Sequence, residues 1–261
     1  MSYKGIRLKQ WVIALFVLVF AFSCDDSDHL RVDQDFVHLN EDYKIVKADR
    51  YNLSAEEKEN ISEISEKLAV RYVNRERPEE TAIDTAIISY FANGLTHLYN
   101  SNLSEAVTVT KEYTLIAGNP ASPREVLLWV DSTKTWLDKS WRAEKTETGI
   151  SAIDEIIKEF DLVLKKFREY AHVSDKVVAE MRADRPLNVY ALSKLFDEVT
   201  EIAEAVPDVV LTGGRDIEAQ VKETGLVFDV TVGSGDCPSG CINKINHRFK
   251  ISPDGNIEVI E

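Results

Sequence analysis

Twelve consecutive apolar residues, Trp11 to Phe22, constrain this chain more than any other stretch. Lys4, Arg7 and Lys9 precede them; Ser23, Cys24, Asp25, Asp26 and Asp28 follow. A basic head, a short apolar run and a small residue before a polar stretch are the parts of an export signal. A helix needs roughly 17–25 residues to cross a bilayer, so this run reads as a removed leader, residues 1–23, and not as a retained span. Whatever follows must then fold outside the cytoplasm, where cysteines can pair.

The sequence around Cys24 resembles the lipobox of bacterial lipoproteins, in which the cysteine is diacylated and becomes the mature N-terminus. Ser23 suits the position before it, whereas Ala21 and Phe22 depart from the preferred Leu and Ala or Ser. The alternative is an ordinary signal peptide cut nearby. The lipobox implies a membrane partner held through N-terminal acyl chains and a place at the bacterial outer membrane, facing the periplasm or the outside. Burying an acyl chain gains about 0.8 kcal/mol per methylene, enough for a stable anchor when several chains are attached. Charge points the same way. With Lys4, Arg7 and Lys9 gone, 28 basic residues face 45 acidic ones, a net of −17. Such a body repels nucleic acid and anionic headgroups, so neither is an expected partner. If Cys24 carries lipid, Cys237 and Cys241 remain as an even pair. A disulfide closing that five-residue loop stabilises by only roughly 2 kcal/mol and chiefly fixes local shape. A metal site or a redox pair is the alternative, but Cys-x3-Cys is poor spacing for either.

Residues 24–50 read as an acidic tether. Residues 51–104 follow as a helical hairpin. Ser54 and Glu57 form a capping box, and Ile61, Ile64, Leu68 and Tyr72 recur at helical spacing. A second helix is expected from about Glu80 to Tyr99, ending near His97, which has no ligand partner at i±4 and reads as a satisfied histidine. Residues 105–261 are expected to form an α+β domain. Val107, Val109 and Tyr113 to Ile116 read as extended, and Glu125 to Val130 as a strand. Trp129, Trp136 and Trp141 are core residues or, less simply, a stacking platform for sugars. A helix starts near Ser151, after which 162–167 is either its continuation or a strand. A strand at 177–182, a helix at 188–203 capped by Asn188 and a strand at 208–211 come next. If 162–167 is a strand, the pattern is two βαβ units, as in a ferredoxin-like layer. Beyond residue 216 the alternation of Ile217, Ala219, Val221, then Leu226, Phe228, Val230, Val232, then Ile245, His247, Phe249, Ile251 gives an antiparallel β-meander. Its last turn is Ser252 to Gly255, with Ile257 and Val259 on the return strand.

The string Gly235-Asp-Cys-Pro-Ser-Gly-Cys-Ile242, with Phe249, Ile251 and Asp254-Gly255, resembles the C-terminal block of a family of uncharacterised bacterial lipoproteins. The likeness extends back through Pro186-Leu-Asn188, Thr148-Gly149 and the LLWVD run. Ser234 and His247 stand where that family often has aromatics. The resemblance implies a shared fold and carries no established activity.

No nucleophile elbow, zinc-protease helix, P-loop or dinucleotide fingerprint occurs. Neither metal nor cofactor is expected. Acidic pairs such as Asp229/Asp236 or Asp208/Asp216 are what chance supplies among 45 acids. These observations favour a lipid-anchored recognition module over an enzyme. Its expected face is the cysteine loop and adjoining strands (Asp236, Pro238, Ser239, Asn243 and His247), offered to a protein or glycan. The alternatives are an envelope hydrolase with an acidic site, in which two carboxylates would stand about 5–10 Å apart, and a protease-inhibitor-like domain.

Overall fold

The computed structural model describes residues 44–169, 175–234 and 243–260. The leader, Cys24, most of the tether and the loop with Asp236, Cys237, Pro238, Ser239 and Cys241 lie outside the described residues.

The first helix, α1 (Ala55–Glu76), starts where its capping box requires. Glu57 N–H donates to Ser54 Oγ (3.1 Å) and Ser54 N–H to Glu57 Oε2 (2.7 Å). These bonds satisfy two of the amides that a helix start leaves open. Ile61, Ile64, Leu68 and Tyr72 form its buried stripe. The second helix, α2 (Thr85–Asn100), begins five residues later than the sequence reading placed it, with Asp84 as its cap. The reason is tertiary. Ala82 bridges to Leu187, and Thr81 C=O accepts Asn188 N–H (2.8 Å), so this backbone is already engaged elsewhere. Tyr72 and Phe91 meet edge to face at 5.9 Å between the two helices.

The segment expected to be extended at 107–112 is helical. A short turn, α3 (Ser104–Val107), runs into a π-helical stretch, Thr108–Glu112. Its β-branched residues favour strand by propensity, but burial of Ala106 and Val109 overrides that preference. Thr110 Oγ1 then donates to Ala106 C=O (2.7 Å), a back-bond that widens a helical turn.

Four strands form the first sheet: β1 (Glu125–Asp131), β2 (Val163–Glu169), β3 (Lys176–Arg182) and β4 (Glu204–Pro207). Their order is β2-β3-β1-β4 with every neighbour antiparallel. Helices α4 (Ser151–Glu159) and α5 (Val189–Asp197) connect β1 to β2 and β3 to β4. Residues 163–169 are therefore strand, because α4 ends at Phe160 and Asp161 turns left-handed (φ 51°). On the C-terminal side two expectations are corrected. The α5 helix stops at Asp197, whose carboxylate takes Ala205 N–H (2.6 Å). The last strand is Glu204–Pro207, with Ala205 opposite Leu128, while Val209, Val210 and Leu211 are exposed.

The second sheet is an antiparallel meander of β5 (Asp216–Lys222), β6 (Gly225–Ser234), β7 (Asn243–Ile251) and β8 (Ile257–Ile260) in that order. The described residues thus form an α+β fold with two antiparallel sheets and two cores. One gathers β1–β4 with α4 and α5 around Trp141, Leu128 and Phe196. The other joins α1 and α2, from the start of the described chain, to β5–β8 at its end. Gly94 marks that junction. A β-carbon there would lie 2.4 Å from Leu226 Cδ2, so a larger residue would require the buried Leu226 side chain to move.

Arg71 on α1 ties the two cores together. Its Nε donates to Asn119 C=O (2.6 Å), Nη1 to Ile217 C=O (2.8 Å), and Nη2 to the Asp216 carboxylate (3.0 Å). Asp216 also takes Gly118 N–H (2.8 Å), so helix, the loop into β1 and the start of β5 close on one another. We expect Arg71→Met to leave a carboxylate and two carbonyls short of a donor and to cost about 2–4 kcal/mol. Urea unfolding followed by circular dichroism measures that loss; a variant within about 0.5 kcal/mol of the parent, the range of ordinary surface changes, contradicts this role for Arg71.

Candidate functional site

Strand register sets the geometry of the candidate site. The edge strand β5 ends with Asp216 opposite Thr231, and the last described pair of β8 is Ile260 opposite Arg248. The central strands continue past both. Val232, Gly233 and Ser234 pair with Ile245, Lys244 and Asn243. Three further residue pairs at about 3.4 Å each carry this two-stranded ribbon roughly 10 Å beyond the four-stranded sheet.

Burial falls along the ribbon in step. Phe249 and Ile251 are in the core, His247 is half-buried, and Asn243 to Asn246 are exposed. Ile245 pairs with Val232 and His247 with Val230, so both residues continue the core face of β7. That face runs out from beneath the helices, which leaves Ile245 42% exposed. The His247 ring lies 6.0 Å from that of Phe249, tilted by 37°. Across from it is α3. The Glu105 carboxylate there is held below its ordinary pKa by its own backbone amide, then by the Ser104 hydroxyl, with a smaller contribution from His247. Two of the expected site residues, Asn243 and His247, therefore lie on one projecting strand. The other three, Asp236, Pro238 and Ser239, follow Ser234 in the chain outside the described residues.

Of the four acids paired in the sequence, two have structural partners for their carboxylates, and Asp236 lies outside the described residues. Asp216 belongs to the Arg71 cluster, and Asp229 accepts from Gln220 Nε2 (2.9 Å) and from Arg248. Among the described residues no group of three or more His, Cys, Asp or Glu could hold a metal ion. Nor is any described helix long and apolar enough to cross a membrane. The described tryptophans form no exposed platform. Trp141 is fully buried and donates to Thr146 C=O (3.1 Å), with Trp136 edge-on to it at 4.9 Å. His97 is satisfied, as expected, donating from Nε2 to Val46 C=O (2.6 Å).

Charged side chains also line the face of the first sheet that carries Glu125 and Glu180. Glu180 is 4% exposed, yet its two oxygens meet Lys165 (2.5 Å) and Arg168 (2.8 Å). Burial pushes its pKa up, and the two cations more than reverse this, so it lies below its ordinary 4.5. On α1, a hydrogen bond from Lys111 likewise lowers Glu57. One feature invisible in the sequence is a polar cleft of about 380 Å³ beside Arg71, lined by Asn74, Tyr190 and Glu218. Burial raises the Tyr190 hydroxyl pKa, so it is present as a hydrogen-bond donor at neutral pH. These residues are far apart in the chain, and no local motif joins them.

No protein-family model matches the chain, and no curated protein or solved structure is similar to it.

Both lowered carboxylates bind fewer protons folded than unfolded near pH 4.5. Their stabilisation is complete above the unfolded value of 4.5 and is lost as pH falls through the lower folded values. Urea midpoints recorded from pH 7 to pH 3 should therefore fall on the acid side. In Glu180→Gln the gap from the parent should be widest at pH 7 and shrink below pH 4.5; a gap independent of pH would contradict the pairing.

Proposed function

We propose that this chain is a lipid-anchored protein of the bacterial cell envelope that recognises a protein or glycan partner with the ribbon of β6 and β7. One observation carries the reading. The core face of β7 continues past the helices that cover it, so Ile245 and the edge of His247 meet solvent beside Asn243, Lys244 and Asn246. An exposed apolar residue ringed by polar ones on a two-stranded arm is the composition expected of a recognition patch. Its strand edges also present backbone donors and acceptors to an incoming strand.

The Cys237 and Cys241 disulfide is part of the same proposal. Closing the loop between Ser234 and Asn243 would reduce the entropy lost when the arm binds. The lipobox-like sequence around Cys24 and the resemblance to lipoproteins with the same C-terminal block support a place for this arm at the membrane surface. The four-stranded antiparallel first sheet is scaffold in this reading, since fold alone assigns no activity. A hydrolytic role finds less support, because Asp216 and Asp229 are engaged by Arg71 and Arg248.

Two measurements test the proposal. Intact mass of native material should begin at an acylated Cys24 and gain the hydrogens of one opened disulfide on reduction. An unmodified start elsewhere, or thiols already free, contradicts the envelope reading. With the fold verified by circular dichroism, Ile245→Glu combined with His247→Ala should weaken capture of the envelope partner about ten-fold or more, as loss of a binding hot spot does. Unchanged capture would rule out the ribbon.

A further inference from the structure

A second surface has the opposite electrostatic character from the body that carries it. A groove of about 860 Å³ lies between the segment 44–50 and the two N-terminal helices. Lys44, Lys47 and Arg50 line one side, and Ser62, Ser89 and Tyr90 line the other. Among the described residues no Asp or Glu lines it, in a chain that has 45 of them. Among the described residues the side chains of these three cations have no ion-pair or hydrogen-bond partner. Elsewhere comparable cations are neutralised, as Arg71, Arg124 and Lys165 are.

The cations are also held in place. Asn93 on α2 fixes the backbone of their segment with three bonds, from Nδ2 to Ile45 C=O (2.9 Å) and Val46 C=O (3.0 Å), and from Ala48 N–H to Oδ1 (2.8 Å). His97 takes a second hold on Val46, and Val46 N–H donates to Pro253 C=O (2.8 Å) in the turn before β8. Ile45 and Ala48 are buried by these contacts, which turns the intervening Lys47 outward. A fixed backbone with free cationic side chains binds an anion at little cost in backbone ordering.

We propose that this groove binds an extended acidic segment of a partner protein. The chemistry follows from the lining. Three unneutralised cations call for carboxylates, the serine hydroxyls for backbone groups, and Tyr90 with Ile88 for an occasional apolar side chain. The volume lies within the roughly 300–1,000 Å³ of ordinary ligand sites. Concavity favours a chain segment over a bilayer, which meets flat or convex surfaces. The net negative body works against a membrane of anionic lipid and leaves this groove as the place where an acidic partner is not repelled. The groove is formed by the folded body alone and does not involve the ribbon.

The test is fluorescence anisotropy of a labelled, blocked peptide of alternating Asp and Leu against the purified full chain. Binding should appear at low salt, weaken as salt rises and disappear when Asn replaces Asp in the peptide. The combined Lys44→Ala, Lys47→Ala and Arg50→Ala variant, folded by circular dichroism, should bind about ten-fold more weakly or worse. Lys244→Ala on the ribbon should bind as the parent does, which separates this site from that one. Equal binding by the triple variant, or by the Asn peptide, would overturn the proposal. So would anionic phosphatidylglycerol vesicles binding through the same three cations while the peptide does not. A chain that binds the peptide only after Asp33, Asp35, Glu41 and Asp42 become amides would assign the groove to its own tether and would also refute a partner.

Discussion

The guanidinium of Arg71 is the point on which the two halves of this structure depend. It projects from α1 and reaches, in three directions, the loop leading into the first sheet and the first residues of the second. Only a planar fork of donors can serve two carbonyls and a carboxylate at once, and a lysine ammonium in that position would leave some of them without a donor. Asp216 completes the cluster by accepting from Gly118, so the loop is held by both members of the ion pair. Secondary contacts repeat the pattern. Glu66 meets Arg124 at 2.6 Å, and Asn188 donates to Glu80 C=O at 2.9 Å, each crossing between the cores.

This clamp matters because the chain is not built in sequence order. The helices at its start bury their apolar stripes against the sheet at its end, and the four-stranded layer is inserted between the two. Neither α1 nor α2 can cover Leu68, Phe91 or Leu95 until β6 and β7 are present. Contacts so distant in the chain carry a large loop-closure cost, and topologies dominated by them fold slowly. Gly94 and the Arg71 fork are two places where the arrangement is sensitive to change, one because the buried Leu226 side chain fills the space beside it and the other because its hydrogen bonds are directional.

Both proposed binding surfaces arise where this architecture runs out of cover. The ribbon is the stretch of β6 and β7 that outruns its neighbours, and its apolar face is exposed because the helices stop short of it. The groove lies at the other margin of the helices, where residues 44–50 are pinned by Asn93 and by the turn preceding β8. That turn carries Gly255 at φ 85°, against the ring of His97, so the sheet, α2 and the cationic segment meet at one corner. The charge contrast then follows from what is neutralised. The interior carboxylates Glu125 and Glu180 have Lys165 and Arg168 beside them, whereas Lys44, Lys47 and Arg50 have no such partner among the described residues.

What the amino-acid sequence determines by itself is whatever acts over a few residues. The Ser54 capping box, the Asn188 cap, the Ser252 to Gly255 turn and the alternation of Leu226, Phe228, Val230 and Val232 are all readable, because hydrogen bonds and pleats of this kind close within one turn or one strand. The α+β class and the antiparallel meander follow from them. Tertiary structure decided the rest. Residues 104–112 became helical against their β-branched composition, since burying Ala106 and Val109 outweighs a propensity of under about 1 kcal/mol. The strand expected at 208–211 formed at 204–207, because Asp197 captures Ala205 and brings it opposite Leu128. Arg71 and Asp216 lie 145 residues apart, and the cations of the groove face serines on helices they do not neighbour. No periodicity encodes such meetings. They exist only once the two cores have closed.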